Sequence, residues 1–208
     1  MSKIQIINLK CEYEVTPLGV QDANPLLSWQ ISADYPVTQK AYRIVASSSE
    51  ELLKLNIFDL LDTGKIESSK SYGIPYNGRP LQSEERIFWA VKVWDQHGNE
   101  SPYSEYSWFE TGLFDKKEWK GVWLSFVGGM VGNGLLMRHF FETRDEKIIR
   151  ARAYVCCVGY YEFHLNGQII GEKKLDPAPT DCSKTVLYTA YDITADVRNG
   201  GDALCFLL

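Results

Sequence analysis

The chain has 208 residues, 45% hydrophobic, 13% aromatic and 24% charged, a composition that can build a core and that excludes an intrinsically disordered chain. Its 22 basic and 27 acidic residues leave a net charge of −5 with no basic cluster, which excludes nucleic-acid binding by phosphate neutralisation. No apolar run approaches the roughly 20 residues of a membrane-spanning helix, and no charged-then-apolar leader opens the sequence, so a cytoplasmic protein of one large or two small domains is expected.

Period-2 alternation bounded by Gly, Pro, Asn and Asp dominates throughout, the signature of strands and turns. In the first half the strand-like runs are 4–11, 26–33, 41–47, 86–95 and 105–111, a spacing that predicts a β-sandwich. One short helix is expected after Ser48, where Ser48-x-x-Glu51 has the form of a capping box ahead of Leu52, Leu53 and Leu55. Asp62-Thr63-Gly64 and Tyr76-Asn-Gly-Arg-Pro80 read as turns. Along 86–95 the alternation assigns Ile87, Trp89, Val91 and Val93 to the core and Phe88, Ala90, Lys92 and Trp94 to the opposite face. Gln96 to Ser101 forms the hairpin loop. With Trp29 on an early strand and Leu81 six residues before Ile87, this half resembles a fibronectin type III module, except that Ile87 stands where such modules carry a corner tyrosine.

Composition shifts near 113–119, so the boundary is drawn at 114/115. The second half offers strand-like runs at 121–127, 135–142, 148–157, 160–165, 168–170, 185–191 and 203–208. Asn166-Gly167 between two apolar runs predicts a type I′ hairpin, because both central residues need positive φ. Residues 192–202 read as one helical turn stopped by glycine. The glycine-rich stretch Gly128-Gly-Met-Val-Gly-Asn-Gly134 fails as a phosphate cradle: a strand-like run follows it and there is no Lys-Ser/Thr pair, so it reads as a surface loop. The last run, Ala203-Leu-Cys-Phe-Leu-Leu208, is apolar and ends without a turn. It is expected to leave the second sandwich cut short, with an open edge through which chains could associate.

The strings Tyr154-Val-Cys-Cys-Val-Gly-Tyr-Tyr-Glu-Phe-His-Leu-Asn-Gly-Gln-Ile-Ile-Gly171, Leu175-Asp-Pro-Ala-Pro-Thr180 and Tyr188-Thr-Ala-Tyr-Asp-Ile-Thr194 resemble, in that order, the N-terminal β-domain of bacterial α-L-rhamnosidases. Upstream, Leu9-Lys-Cys-Glu-Tyr13, Pro25-Leu-Leu-Ser-Trp29, Gln39-Lys-Ala-Tyr-Arg-Ile44 and Phe88-Trp-Ala-Val-Lys-Val-Trp-Asp95 are similar to the fibronectin-like region that opens many of these enzymes. The resemblance implies an all-β chain: a fibronectin type III-like sandwich over 1–114 and a jelly-roll-like sandwich over 115–208. It also implies a parent enzyme that releases terminal α-L-rhamnose with inversion, using two carboxylates in a helical toroid downstream of this chain. No catalytic residue is carried over to this sequence, and no cofactor or metal is implied. A front end of a β-galactosidase or β-glucuronidase and a free-standing carbohydrate-binding module are the alternatives. Leu175-Asp-Pro-Ala-Pro-Thr180 and the fibronectin-like opener favour the rhamnosidase.

The residues that invite chemistry have simpler readings. Glu162, His164, Asp176 and Asp181 could be imagined as an acid–base set, yet the first two share a solvated strand face and the last two bracket a Pro-rich turn. His139, His164 and Asp192 lack compact metal-ligand spacing. Cys11, Cys156, Cys157, Cys182 and Cys205 are odd in number and form no C-x-x-C pair, so reduced thiols are expected. Cys156 and Cys157, adjacent on a strand, should face opposite ways. Aromatic stacking on sugar has a physical basis, and Trp94, Trp108, Tyr160 and Tyr161 are the candidate platforms. Substrate-binding residues are otherwise unknown from the sequence.

Overall fold

A computed structural model describes residues 4–125, 134–144, 147–172 and 175–208, and the chain divides into two compact units, Met1–Lys120 and Gly121–Leu208. The glycine-rich stretch 128–133 lies outside the described residues.

In the first unit the elements are β1 (Gln5–Cys11), β2 (Leu26–Ser32), β3 (Ala41–Ser47), helix α1 (Glu50–Lys54), β4 (Leu61–Asp62), β5 (Ile66–Glu67), β6 (Ile74–Pro75), β7 (Arg86–Trp94) and β8 (Ser107–Glu110). Strands β1, β2 and β6 form one antiparallel sheet, and β4, β3, β7 and β8, with β5 also on β3, form the other. Both sheets feed a single core: Ile6, Leu9, Cys11, Leu27 and Trp29 from the first, Ile44, Ile87, Trp89, Val91, Val93 and Phe109 from the second. This is the predicted sandwich, and Ile87, Trp89, Val91 and Val93 are all at most 1% exposed.

Three details differ from what the sequence leads one to expect. The register of β1 on β2 shifts between Ile7 and Lys10, with Asn8 at φ 53°. This irregularity moves the buried set from Ile4 and Ile6 to Leu9 and Cys11 and leaves Ile7 exposed, as an extra residue in a ladder must. Ala90, assigned by alternation to the face opposite the core, is fully buried beside Val45 and Leu53. Helix α1 lays Leu53 on that face of β3 and β7, so the sheet is covered on both sides there. The helix itself is capped by Ser49, whose hydroxyl accepts from the Leu52 N–H at 3.2 Å. Ser48, the expected cap, instead donates to Asp59 at 2.7 Å.

The second unit contains β9 (Leu136–Thr143), β10 (Arg152–Cys156), β11 (Glu162–Leu165), β12 (Gln168–Ile169), β13 (Tyr188–Asp192) and β14 (Gly200–Leu207). One sheet has the order β12-β11-β14-β9, and β10 pairs with β13 in a second. Tyr161, Phe163 and Leu165 from one side and Tyr191 and Ile193 from the other build its core, joined by Phe141, Val155, Cys157, Leu204 and Phe206. Phe163 stacks on Phe206 at 5.0 Å and meets the Tyr191 ring edge-on at 5.3 Å, geometries that add to simple burial. The Asn166-Gly167 hairpin forms with φ 52° and 82°, and one turn after Ile193 is closed by the Val197 N–H on the Ile193 carbonyl at 3.1 Å. Residues 121–125 carry no strand, contrary to the run expected there.

The expectation of an open edge at 203–208 is overturned. Strand β14 lies between β11 and β9 and is paired along both sides, Cys205 standing opposite both His164 and Arg138. Its apolar composition follows from this central position, since a strand with neighbours on both sides presents no free ladder groups and needs no charge to blunt it.

Candidate functional site

The residues singled out for chemistry do not converge. Glu162 and His164 lie on the outward face of β11, joined at 2.6 Å between Oε1 and Nε2. Asp176 belongs to the interior side of the same unit. Its Oδ2 accepts from the Tyr191 hydroxyl at 2.9 Å, that hydroxyl contacts the Tyr161 hydroxyl at 2.9 Å, and the Tyr161 N–H donates to the Asp176 carbonyl at 3.1 Å. Burial, together with its bonds to Tyr161 and Asp176, drives the Tyr191 hydroxyl well above the usual phenol range. Asp181 is engaged in its own turn, accepting from Ser183 Oγ at 2.6 Å and pairing with Lys184 at 3.2 Å, and Ser183 first and Lys184 second hold its carboxyl below the ordinary value.

The imagined metal ligands are likewise apart. His164 projects with Cys205 from the outward face, His139 pairs opposite the core-facing Leu204, and Asp192 is held by Arg152 at 2.6 Å. Among the described residues no three His, Cys, Asp or Glu side chains are grouped to hold a metal ion.

The aromatic platforms sort by what covers them. Arg86 lies over the Trp108 ring at 3.9 Å, Lys65 and Lys92 flank Trp94 at 5.2 and 6.0 Å, and Tyr161 is 7% exposed in the core. Tyr160 alone of the four is open, 47% exposed. It lines a groove of about 210 Å³ with Cys157, Gly159, Pro177, Ala178, Pro179, Thr180, Cys182 and Leu187. The sequence pointed to Tyr160 but not to the concavity, because the Pro-rich segment is anchored through Asp176 on Tyr191, a long-range contact. The groove is apolar, and within it the chemically reactive groups are the two thiols.

Sequence comparison decides the family. Residues 6–115 match the profile described as the Rha78A-like, N-terminal immunoglobulin domain, and residues 146–208 match the alpha-L-rhamnosidase N-terminal domain. The chain belongs to the N-terminal region of the α-L-rhamnosidase family. An α-L-rhamnosidase of Formosa agariphila is 34% identical over 92% of this chain, and one of Alteromonas sp. is 32% identical over 91%. The solved α-L-rhamnosidase of Dictyoglumus thermophilum superposes over 98% of this chain with a TM-score of 0.91 and 37% identity. The chain spans about a quarter of the length of these relatives, 23% and 22% of the two sequences and 25% of the structure. The immunoglobulin-type match and the fibronectin-type reading share the two-sheet sandwich, so the family region is all-β in both of its units.

Proposed function

We propose that this chain is the accessory N-terminal region of an α-L-rhamnosidase. It supports a catalytic part contributed by the rest of a parent protein and hydrolyses nothing by itself. The observation that supports this most directly is the match to rhamnosidases through both units, in order, over only a quarter of their length. The engagement of the acids points the same way. Inverting hydrolysis needs two carboxyl groups about 6.5–9.5 Å apart with room for water between them, whereas Glu162 and Asp176 serve opposite sides of one sheet and each holds a structural partner.

On this reading the parent enzyme acts on rhamnose-containing glycosides, in keeping with a Streptomyces avermitilis relative solved in complex with L-rhamnose. We also place it in the cytoplasm, a compartment that keeps thiols reduced, in keeping with its five free cysteines. The test is turnover of p-nitrophenyl α-L-rhamnopyranoside by the purified chain and by the full product of its gene. Turnover is expected only from a product that continues past this region. Hydrolysis by the 208-residue chain that disappears with Glu162→Gln would overturn the reading, and saturable rhamnose binding by the chain alone would replace it with a carbohydrate-binding module.

A further inference from the structure

Cys157 and Cys182 reach the same groove from different parts of the chain. Cys157 directly follows β10 and packs against the core of the second unit. Cys182 is exposed, its Sγ 3.6 Å from the Thr180 carbonyl oxygen. It sits in a turn built on Asp181, whose carbonyl accepts from the N–H groups of Lys184 and Thr185 at 2.9 and 3.0 Å and whose side chain accepts from Ser183. The turn therefore presents Cys182 at a fixed place, while Pro177 and Pro179 restrict the approach to it. Burial raises the Cys157 thiol, with a smaller contribution from Cys182, in keeping with the place that both have in the lining of the groove. Cys156, next in sequence, is not among the groove residues.

We propose that Cys157 and Cys182 form a dithiol site that a small disulfide oxidant, such as oxidised glutathione, converts into an intramolecular disulfide across the groove. The exposed Cys182 thiolate attacks one glutathione sulfur, forming a mixed disulfide and expelling a glutathione thiolate. The Cys157 thiolate then attacks the Cys182 sulfur, forming the internal bond and expelling the second glutathione thiolate. Two electrons pass to the oxidant, and the protons lost from the two protein thiols end on the two glutathione products. The assignment of roles follows from access: the attacking thiol must be reachable from solvent, and the resolving thiol need only be reachable from its partner. The result is a covalent tie between the end of β10 and the proline-rich segment, at the groove that Tyr160 lines.

The test is incubation of the intact chain with oxidised glutathione, followed by thiol titration and peptide mapping under non-reducing conditions. The expected result is loss of two thiols, a mass lower by two hydrogens, and a cross-link joining the peptides that carry Cys157 and Cys182. Cys157→Ser should stop at a stable glutathione adduct on Cys182. Cys182→Ser, at an exposed position where folding is not at stake, should form no internal cross-link. Cys156→Ser should close as the natural sequence does. A cross-link that survives Cys182→Ser, one that maps to Cys156 or Cys205, or a natural sequence that stops at the mixed disulfide would overturn the proposal.

Discussion

Tyr191 donates its hydroxyl hydrogen to Asp176 at 2.9 Å, and through this bond a strand of the two-stranded sheet holds the Pro-rich segment against the core of the second unit. Both groups are buried, 8% and 9% exposed, so neither exchanges its partner for water without cost. Tyr191→Phe keeps the ring and removes the donor. It should destabilise the second unit by about 1–3 kcal/mol, the cost of leaving a buried acceptor without its bond. Chemical denaturation followed by hydrogen exchange of residues 175–191 would check it, and unchanged protection there would show that the segment is held by other contacts.

Gly171 stands against the same tyrosine. At φ +88° a side chain is already strained, and an added Cβ would fall 2.7 Å from Tyr191 Cε1, a ring fixed by Phe163 and by the Asp176 bond. Gly171→Ala should therefore destabilise the second unit and displace the Tyr191 ring, visible as a shift of its aromatic resonances. A variant as stable as the natural protein would mean that the ring moves aside freely.

In the first unit Trp89 is 0% exposed, and its indole N–H has no hydrogen-bond partner among the described residues. Trp89→Ala should cost roughly 3–5 kcal/mol, as large aromatic deletions in cores do, with the second unit still folded. Trp89→Phe should cost clearly less, since it also removes an unpaired buried donor. Denaturation of the chain, read by probes in each unit, would separate the two. A loss below about 1 kcal/mol for the alanine variant would contradict the packing of β7.

Asp95 ties part of the acid stability of the first unit to one loop. Burial acts to raise its carboxyl, but hydrogen bonds from Asn99, Tyr35 and the backbone N–H groups of Asn99 and His97 outweigh that and hold it well below the usual value of 3.8. A carboxyl whose folded value is depressed stabilises the fold above its unfolded value and loses that contribution as pH falls toward the folded one. Stability of the first unit should therefore decline below the ordinary carboxylate value, and Asp95→Asn should be less stable near neutrality and show a shallower acid decline. Melting temperatures across that acid range are the measurement, and parallel curves for the two proteins would refute the assignment.

These residues show what the sequence could and could not reveal. Alternation along 86–94 identified the core face of β7 because that strand is regular and long. It placed Ala90 on the right face but did not show that this face is buried, because α1, only five residues long, covers it, and coverage by another element leaves no local periodicity. In β1 the shift at Asn8 changes parity within one run, which a strict period of two cannot register. The apolar run at 203–208 was visible, but composition alone does not separate a central strand from an exposed edge. In the candidate groove, Tyr160 and Cys182 were both noticed as residue types. Their meeting depends on Asp176 and Tyr191, fifteen residues apart in sequence, and only the tertiary fold supplies it.

Asn166 separates a turn residue from a network residue. As a hairpin position it needs only tolerance of φ 52°, which Gly supplies as well as Asn. Its side chain does more: Nδ2 donates to Asp202 at 2.6 Å and to the Asp196 carbonyl at 3.1 Å, while Oδ1 accepts from the Ala203 N–H at 3.1 Å. Asp202 is 2% exposed and otherwise accepts from the Arg198 N–H at 3.2 Å, so it depends on Asn166 for much of its compensation. Asn166→Gly preserves the turn and deletes these bonds. It should cost about 1–3 kcal/mol, the range for a buried polar group losing its partner. Asn166→Ala deletes the same bonds and adds the strain of a Cβ in the left-handed region, about 1–2 kcal/mol more. Measured by denaturation of the second unit, the order should be natural sequence, then glycine, then alanine. Equal stability of the glycine variant and the natural protein would show that Asn166 acts through its backbone alone and that Asp202 is held by β14 and the Arg198 turn without it.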